Sequence, residues 1–334
     1  MKELRITLVQ NRLDHLFYSG SSVTGSLVVD VDKPKSYKHI SIQFLGRAKV
    51  HWTERRGGGG GRYGGGGHTV HYTSKEVYVD VTRSLWTADQ SPDGCLPPGQ
   101  HIYTFCFDIP RNAPSSFEGA VGSIRYELHG RIGKGPLKFD HVVHRSVLVQ
   151  QVVDMSNPRL LQPMRQEVQK TVCCLWCASA PIVLTVAVPK KGYRIGEILP
   201  IHVTVENGSS RRISLKASLD QSVVYIAGGK HRTSQKTLLL IRSDEIAPHT
   251  PRDWDPALQV PSTEAIDEQS CSNIKMSYTL AITAIVPWGL NLSAKIPLKL
   301  GYVQEQPPLE ESTRSPPTQP QPQVQPPPYP HVNP

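Results

Sequence analysis

The 334-residue sequence predicts an all-β protein: two β-sandwich domains in tandem, followed by a disordered proline-rich tail. Three observations predict it. Apolar residues recur at every second position in long runs, turn clusters separate those runs, and glycine and proline are concentrated in two short stretches.

The clearest run is Ile40, Ile42, Phe44, Gly46, Ala48, Val50 and Trp52, with Ser41, Gln43, Arg47, Lys49 and His51 between them. Successive side chains of a strand point to opposite faces, so this set makes one buried face and one wet face. A helix would scatter the same residues around its circumference. The period returns at Leu4/Ile6/Leu8, Val77/Val79/Val81, Tyr103/Phe105/Phe107/Ile109 and Ile124/Tyr126/Leu128. In the second half it marks Ile182–Val188, Ile201–Val205, Ile213–Leu219, Ile274–Val286 and Leu290–Leu300. Turn clusters such as Asp32-Lys33-Pro34, Leu96-Pro97-Pro98-Gly99 and Glu206-Asn207-Gly208-Ser209 lie between runs, as many short strands in sandwiches require.

Alternation breaks over Asp154–Lys170, where Pro158 and Pro163 read as a connector. The expected organisation is therefore a first sandwich over 1–152, a linker over 153–178, a second sandwich over 179–303 and a tail over 304–334. A short echo between Tyr18-Ser-Gly20 and Tyr193-Arg-Ile-Gly196, each leading into a strand, hints at duplication. Nine of the 26 glycines fall in Gly57–Gly67, which reads as a flexible hairpin extension because ordered glycine loses the most backbone entropy. Eleven of the 29 prolines fall in Glu305–Pro334, a stretch too poor in large apolar residues to bury a core.

The net charge is +9, and the tail contributes one Arg and three Glu, so the preceding body is near +11. Such a balance suits an acidic partner without choosing among nucleic acid, an anionic membrane face and acidic protein segments. Met1–Gln10 holds Lys2, Glu3 and Arg5 with no apolar core, so no secretory signal is expected. The longest nearly apolar run, Leu280–Leu290, is 11 residues, against about 20 for a spanning helix. A soluble cytoplasmic chain with reduced cysteines is the expectation, and the two Asn-x-Ser sequons then carry no glycan.

Pro326-Pro327-Pro328-Tyr329 is the motif with the most specific chemistry. A proline run presets polyproline II geometry, so little conformational entropy remains to be lost on docking. WW domains grip such a ligand in an aromatic groove, with Pro326 and Pro327 stacked and Tyr329 in a separate pocket. Cys173-Cys174-Leu-Trp-Cys177 could be acylated, metal-bound or structural; three thiols lack the paired cluster of an ordinary zinc site. The basic residues Lys190, Lys191, Arg211, Arg212, Lys230 and Arg232 are candidate lipid contacts, worth about 1 kcal/mol each at an anionic surface. Arg62-Tyr63 among glycines is too short for an RNA-binding tract, and no nucleic acid is expected. No nucleophile elbow, His-Glu-x-x-His, phosphate loop or dinucleotide fingerprint is present, so neither catalysis nor a cofactor is expected.

Several blocks together carry a family resemblance. They are Tyr18-Ser-Gly-Ser-Ser-Val-Thr-Gly25, Leu96-Pro-Pro-Gly-Gln-His101, Pro114-Ser-Ser-Phe-Glu-Gly119 and Gly122-Ser-Ile-Arg-Tyr126. Lys170-Thr-Val-Cys-Cys-Leu-Trp-Cys177, Lys191-Gly-Tyr-Arg-Ile-Gly-Glu197 and Leu298-Lys-Leu300 follow in the second half. The chain resembles the α-arrestins, the arrestin-domain-containing proteins. The resemblance implies two arrestin-type, immunoglobulin-like sandwiches. It also implies an adaptor that links membrane receptors or transporters to WW-domain HECT-type ubiquitin ligases for ubiquitination, endocytosis and endosomal sorting. The implied place is the cytoplasm, with peripheral recruitment to plasma membrane and endosomes. Alternatives are a ubiquitin-independent trafficking scaffold or a thioredoxin-binding redox regulator. The redox role lacks support in Ile246–Asp253, which has no cysteine where the family's reactive one would stand. Family members carry two proline-tyrosine motifs; here Pro307-Pro308-Leu309-Glu310 has Glu in place of the second tyrosine.

Overall fold

A computed structural model describes residues 2–9, 16–57, 68–135, 138–171, 180–267 and 269–303, with short strands at 173–174 and 177–178. Gly58–Gly67, the tail with its Pro326–Tyr329 motif, and the side chains of Cys173, Cys174 and Cys177 lie outside the described residues.

The first half contains β1 (Glu3–Leu8), β2 (Leu16–Tyr18), β3 (Ser22–Val31), β4 (His39–Arg56), β5 (His68–Thr87), β6 (Gly99–Asp108), β7 (Phe117–Glu118), β8 (Gly122–Gly133) and β9 (His141–Gln150). They form two sheets, β1-β3-β6 and β2-β9-β8-β4-β5, with β7 added to β8. The run from Ile40 to Trp52 is buried at every predicted position. Phe44 packs against Phe107 at 5.7 Å and Tyr126 at 6.3 Å between ring centroids, which joins the two sheets through the core. Space for that packing comes from Gly46, where a side-chain carbon would sit 2.5 Å from the Tyr126 ring.

The second half contains β10 (Met164–Lys170), β11 (Cys173–Cys174), β12 (Cys177–Ala178), β13 (Ile182–Val188), β14 (Gly192–Arg194), β15 (Ile198–Pro200) and β16 (His202–Asn207). It continues with β17 (Ile213–Ala227), β18 (Lys230–Ile246), β19 (Thr250–Trp254), β20 (Ala257–Gln259), β21 (Ile274–Ile285) and β22 (Leu292–Gly301). Its larger sheets are β10-β13-β16-β19 and β14-β22-β21-β17-β18, with small pairs β11-β12 and β15-β20. Both sheets bury the alternating aliphatic faces, including Leu184, Val203, Leu219, Leu280 and Ile296.

The Tyr18/Tyr193 echo is structural. Tyr18 ends β2, which pairs in parallel with β9, the last strand of the first sandwich. Tyr193 lies in β14, which pairs in parallel with β22, the last strand of the second. The glycines that follow, Gly20 (φ +84) and Gly196 (φ +83), make the same left-handed turn, a conformation open to glycine at no steric cost.

Three expectations are corrected. The connector 153–178 contains β10, an edge strand paired with β13 through seven residues. Its alternation is polar on both faces, with Arg165, Glu167 and Gln169 exposed and only Met164 and Val168 as inward aliphatics, so hydropathy hid it. Val77 and Val81 are exposed and only Val79 of that trio is buried: a register shift against β4 between Gly46 and Arg47 turns Val77 to the outward face beside Arg47, and Val81 lies on the terminal strand of its sheet. Leu290 begins no strand and is exposed, since β22 starts at Leu292. Among the described residues no helix is long and apolar enough to cross a membrane.

Gly46→Val is expected to overpack the core against Tyr126 and Val79 and to destabilise the fold by about 1–3 kcal/mol. A lowered midpoint of urea unfolding checks it.

Candidate functional site

The block Pro114–Gly119 lies where the two sandwiches meet. Ser115 is fully buried, and its Oγ accepts hydrogen bonds from Gln151 N (2.9 Å) and Ala265 N (3.3 Å). Its own N–H donates to Ala265 O (3.4 Å). One side chain thereby ties the first sandwich to the end of its last strand and to a loop of the second. Gln151 continues the contact: its Oε1 accepts from Asp267 N (2.8 Å) and Ser270 Oγ (3.2 Å). Asp267 in turn meets the Lys299 ammonium of β22 at 2.8 Å.

Two further contacts flank this latch. Glu76 of β5 accepts from both the backbone N–H (2.8 Å) and hydroxyl (2.6 Å) of Ser272. On the other side the Phe117 ring faces Tyr225 of β17, and the Tyr225 hydroxyl accepts from Ala120 N at 3.2 Å. Gly119 is required there, because any Cβ would overlap the Tyr225 hydroxyl. Burial pushes the Tyr278 hydroxyl of β21 up to about 12, against hydrogen bonds with Thr263 and Gln221 that pull it the other way; it donates to Glu264 O (2.5 Å). Cys271, 1% exposed, lies in the same loop, and burial pushes its thiol up. A protonated, enclosed sulfur is a packing group rather than a nucleophile.

The six basic candidates do not make one patch. Lys190 is held by Glu197 at 2.5 Å and sits over the Tyr193 ring. Burial by itself would raise the Glu197 carboxyl, but the Lys190 ammonium and the Arg194 backbone N–H hold it below its ordinary value. Lys191 follows in the same turn and exchanges backbone hydrogen bonds with Leu160 and Lys299. Arg211 and Arg212 precede β17, while Lys230 and Arg232 begin β18 near that strand's opposite end. The 15 residues of β17 separate the two pairs, roughly 50 Å at the usual rise per strand residue.

Beside Arg211 the structure places two residues that the sequence reading missed. Trp288 is 99% exposed and Leu290 77%, both in the β21–β22 hairpin turn. The turn is firmly built. Arg211 Nη1 donates to Pro287 O (2.6 Å), Val286 N donates to Asn291 Oδ1 (3.1 Å), and Gly289 N donates to Val286 O (3.1 Å). Trp288 itself adopts a left-handed φ of 57°, uncommon for a bulky residue. The interruption Pro287-Trp288-Gly289-Leu290 within an alternating run was the available signal. Among the described residues no group of three or more His, Cys, Asp or Glu is placed to hold a metal ion.

A family model described as the arrestin (or S-antigen) N-terminal domain matches residues 6–156, and the corresponding C-terminal-domain model matches residues 178–305. Mouse arrestin domain-containing protein 4 is 31% identical over 294 residues, covering 86% of this chain and 69% of the relative. The chain belongs to the α-arrestin family. The human protein of the same name is 30% identical to this α-arrestin over 295 residues, covering 86% and 68% of the two chains. Mouse thioredoxin-interacting protein is 24% identical over 297 residues, covering 88% and 72%. The two matched domains meet at the latch around Ser115, and the Pro114–Gly119 block that carried the resemblance is part of that junction.

Ser115→Ala leaves two buried N–H groups without their acceptor, which is expected to cost about 1–3 kcal/mol. Faster amide hydrogen exchange across residues 263–273, together with a lower unfolding midpoint, would register the loss; unchanged exchange would show that Ser115 does not hold the junction.

Proposed function

We propose that this α-arrestin is a non-catalytic adaptor that joins membrane cargo, such as receptors or transporters, to a WW-domain ubiquitin ligase of the HECT class. The reading places it in the cytoplasm, recruited peripherally to plasma membrane and endosomes, where ubiquitinated cargo is internalised and sorted. One observation carries it: a sequence of two arrestin domains is followed by Pro326-Pro327-Pro328-Tyr329. Proline pre-organisation keeps the entropy cost of docking low, and a single tyrosine anchor dominates so small an interface. Because Pro307-Pro308-Leu309-Glu310 lacks the tyrosine, the tail supplies one hook and no avidity of its own.

The Trp288 turn supports the peripheral membrane part of the reading. An aromatic and a leucine held outward beside Arg211 and Arg212 suit the boundary between lipid headgroups and acyl chains. The indole sits there with its polar edge wet, and each arginine gains about 1 kcal/mol near anionic lipid.

Tyr329→Ala is expected to lower affinity for a tandem WW-domain protein by at least about tenfold, as loss of a central aromatic anchor does. Isothermal titration calorimetry measures it; intact binding would remove the motif from the mechanism. Cargo uptake that stays normal in cells carrying this variant would favour a ubiquitin-independent scaffold. A second expectation concerns lipid: Trp288→Ser should reduce co-sedimentation with phosphatidylserine-containing vesicles while leaving WW-domain binding unchanged.

A further inference from the structure

The two sandwiches repeat one sheet. Its strand order is β2-β9-β8-β4-β5 in the first and β14-β22-β21-β17-β18 in the second, with β2/β9 and β14/β22 as the parallel pairs. On this correspondence the β8–β9 turn is the counterpart of the β21–β22 turn. Each turn holds one aromatic ring outside the fold: Phe139 is 96% exposed and Trp288 99%. The next most exposed large hydrophobic among the described residues is Leu290, which belongs to the Trp288 turn. Both turns lie far from the junction. β8 leaves it at Gly122, beside Tyr225, and β21 leaves it after Asn273, which donates to Ser74 of β5. Each strand runs 12 residues before its turn, roughly 40 Å at the usual rise.

Asp140 fixes the Phe139 turn. Its carboxylate accepts from Lys134 N (3.1 Å) and Arg131 Nε (2.6 Å). Lys138 N donates to Gly135 O (3.4 Å), and Lys38 N to Gly133 O (2.7 Å). The Lys38 side chain lies along Gly135, where a Cβ would stand 3.5 Å from its Cε. The β3–β4 and β5–β6 connections meet here through the Lys35–Leu96 bridge and the Ala88 N to Lys38 O bond. Lys33, Lys35, Lys38, Arg131, Lys134 and Lys138 then stand against Asp32, Asp89, Asp93 and Asp140. That modest cationic surplus suits an anionic surface, while the ring sets where contact is made.

The size of the ring says which kind of surface. A lone aromatic buries about 150–250 Å², far short of the roughly 800 Å² per partner in a stable protein interface. A bilayer needs no matching shape, and it accepts an isolated ring flanked by lysines at its headgroup boundary. We propose that the β8–β9 turn is a second anionic-lipid contact. Phe139 enters the boundary between headgroups and acyl chains, and Lys38, Lys134 and Lys138 meet the lipid phosphates. The proposal rests on the peripheral membrane reading above and adds a contact at the far end of the other sandwich.

Co-sedimentation of the full chain with phosphatidylcholine vesicles holding about one quarter phosphatidylserine tests it. Phe139→Ser is expected to lower the partition coefficient about fivefold or more, as removal of a penetrating ring does. The unfolding midpoint and WW-domain binding should not change, because the ring is exposed. Phe139→Trp should bind at least as well as the unaltered chain, since indole favours the same boundary. Lys134→Glu/Lys138→Glu should weaken binding with the ring in place, and Phe139→Ser/Trp288→Ser should bind less than either single variant. Partitioning of Phe139→Ser equal to that of the unaltered chain would overturn the proposal; a loss with Trp288→Ser in the same assay would leave the peripheral membrane reading standing. The opposite pattern, a loss with Phe139→Ser and none with Trp288→Ser, would keep this contact and remove the other. Sedimentation showing a dimer that Phe139→Ser dissolves would also overturn it, because the ring would then be seated in a second copy.

Discussion

The relative placement of the two sandwiches rests on a set of buried hydrogen bonds with Ser115 at their centre. Its hydroxyl is fully buried and receives one N–H from each side of the domain boundary. In that environment an unpaired donor carries its whole desolvation cost, so removing this oxygen weakens the junction directly. Gln151, Glu76 and Tyr225 repeat the device at three neighbouring points. These directional contacts at the seam favour one orientation over a continuum of sliding ones. An apolar seam of the same area would be less directional, because hydrophobic contact has no preferred angle.

Most of the architecture was legible in the sequence because period-two hydropathy is a direct imprint of the pleat. The Ile40–Trp52 run and the long runs of β17, β21 and β22 land on the buried faces they announce. The signal failed at a bulge, at an edge strand and at a turn. Val77 and Val81 alternate as well as any core pair, yet the bulge opposite Gly46–Arg47 turns Val77 outward and Val81 stands exposed on the terminal strand. β10 failed in the opposite sense, forming on backbone pairing to β13 with little apolar periodicity to betray it. Leu290 shows a third failure: alternation carried across a turn, where Pro287 and Gly289 had already ended the strand.

The candidate site was less legible, for a different reason. The Pro114–Gly119 block could be recognised as a signature, but its purpose depends on partners 105 to 150 residues away, at Tyr225 and Ala265. No local pattern encodes such pairings. The scattered basic residues show the reverse problem: they are close in composition and remote in space, because β17 carries Arg212 and Lys230 to opposite ends of one strand. Trp288 was visible as a tryptophan in a run of alternating residues. Only the turn geometry around Arg211 and Asn291 reveals that it points away from every core.

Gly119 and Tyr225 belong to different sandwiches, yet the hydroxyl of one occupies the volume that a side chain on the other would need. The two halves are thus not freely interchangeable modules. A chimera that takes its first sandwich from one relative and its second from another would inherit a compatible fold in each half, but it would seat correctly only where the residue opposite the tyrosine is as small as glycine. Modularity in this protein ends at a single atom's radius.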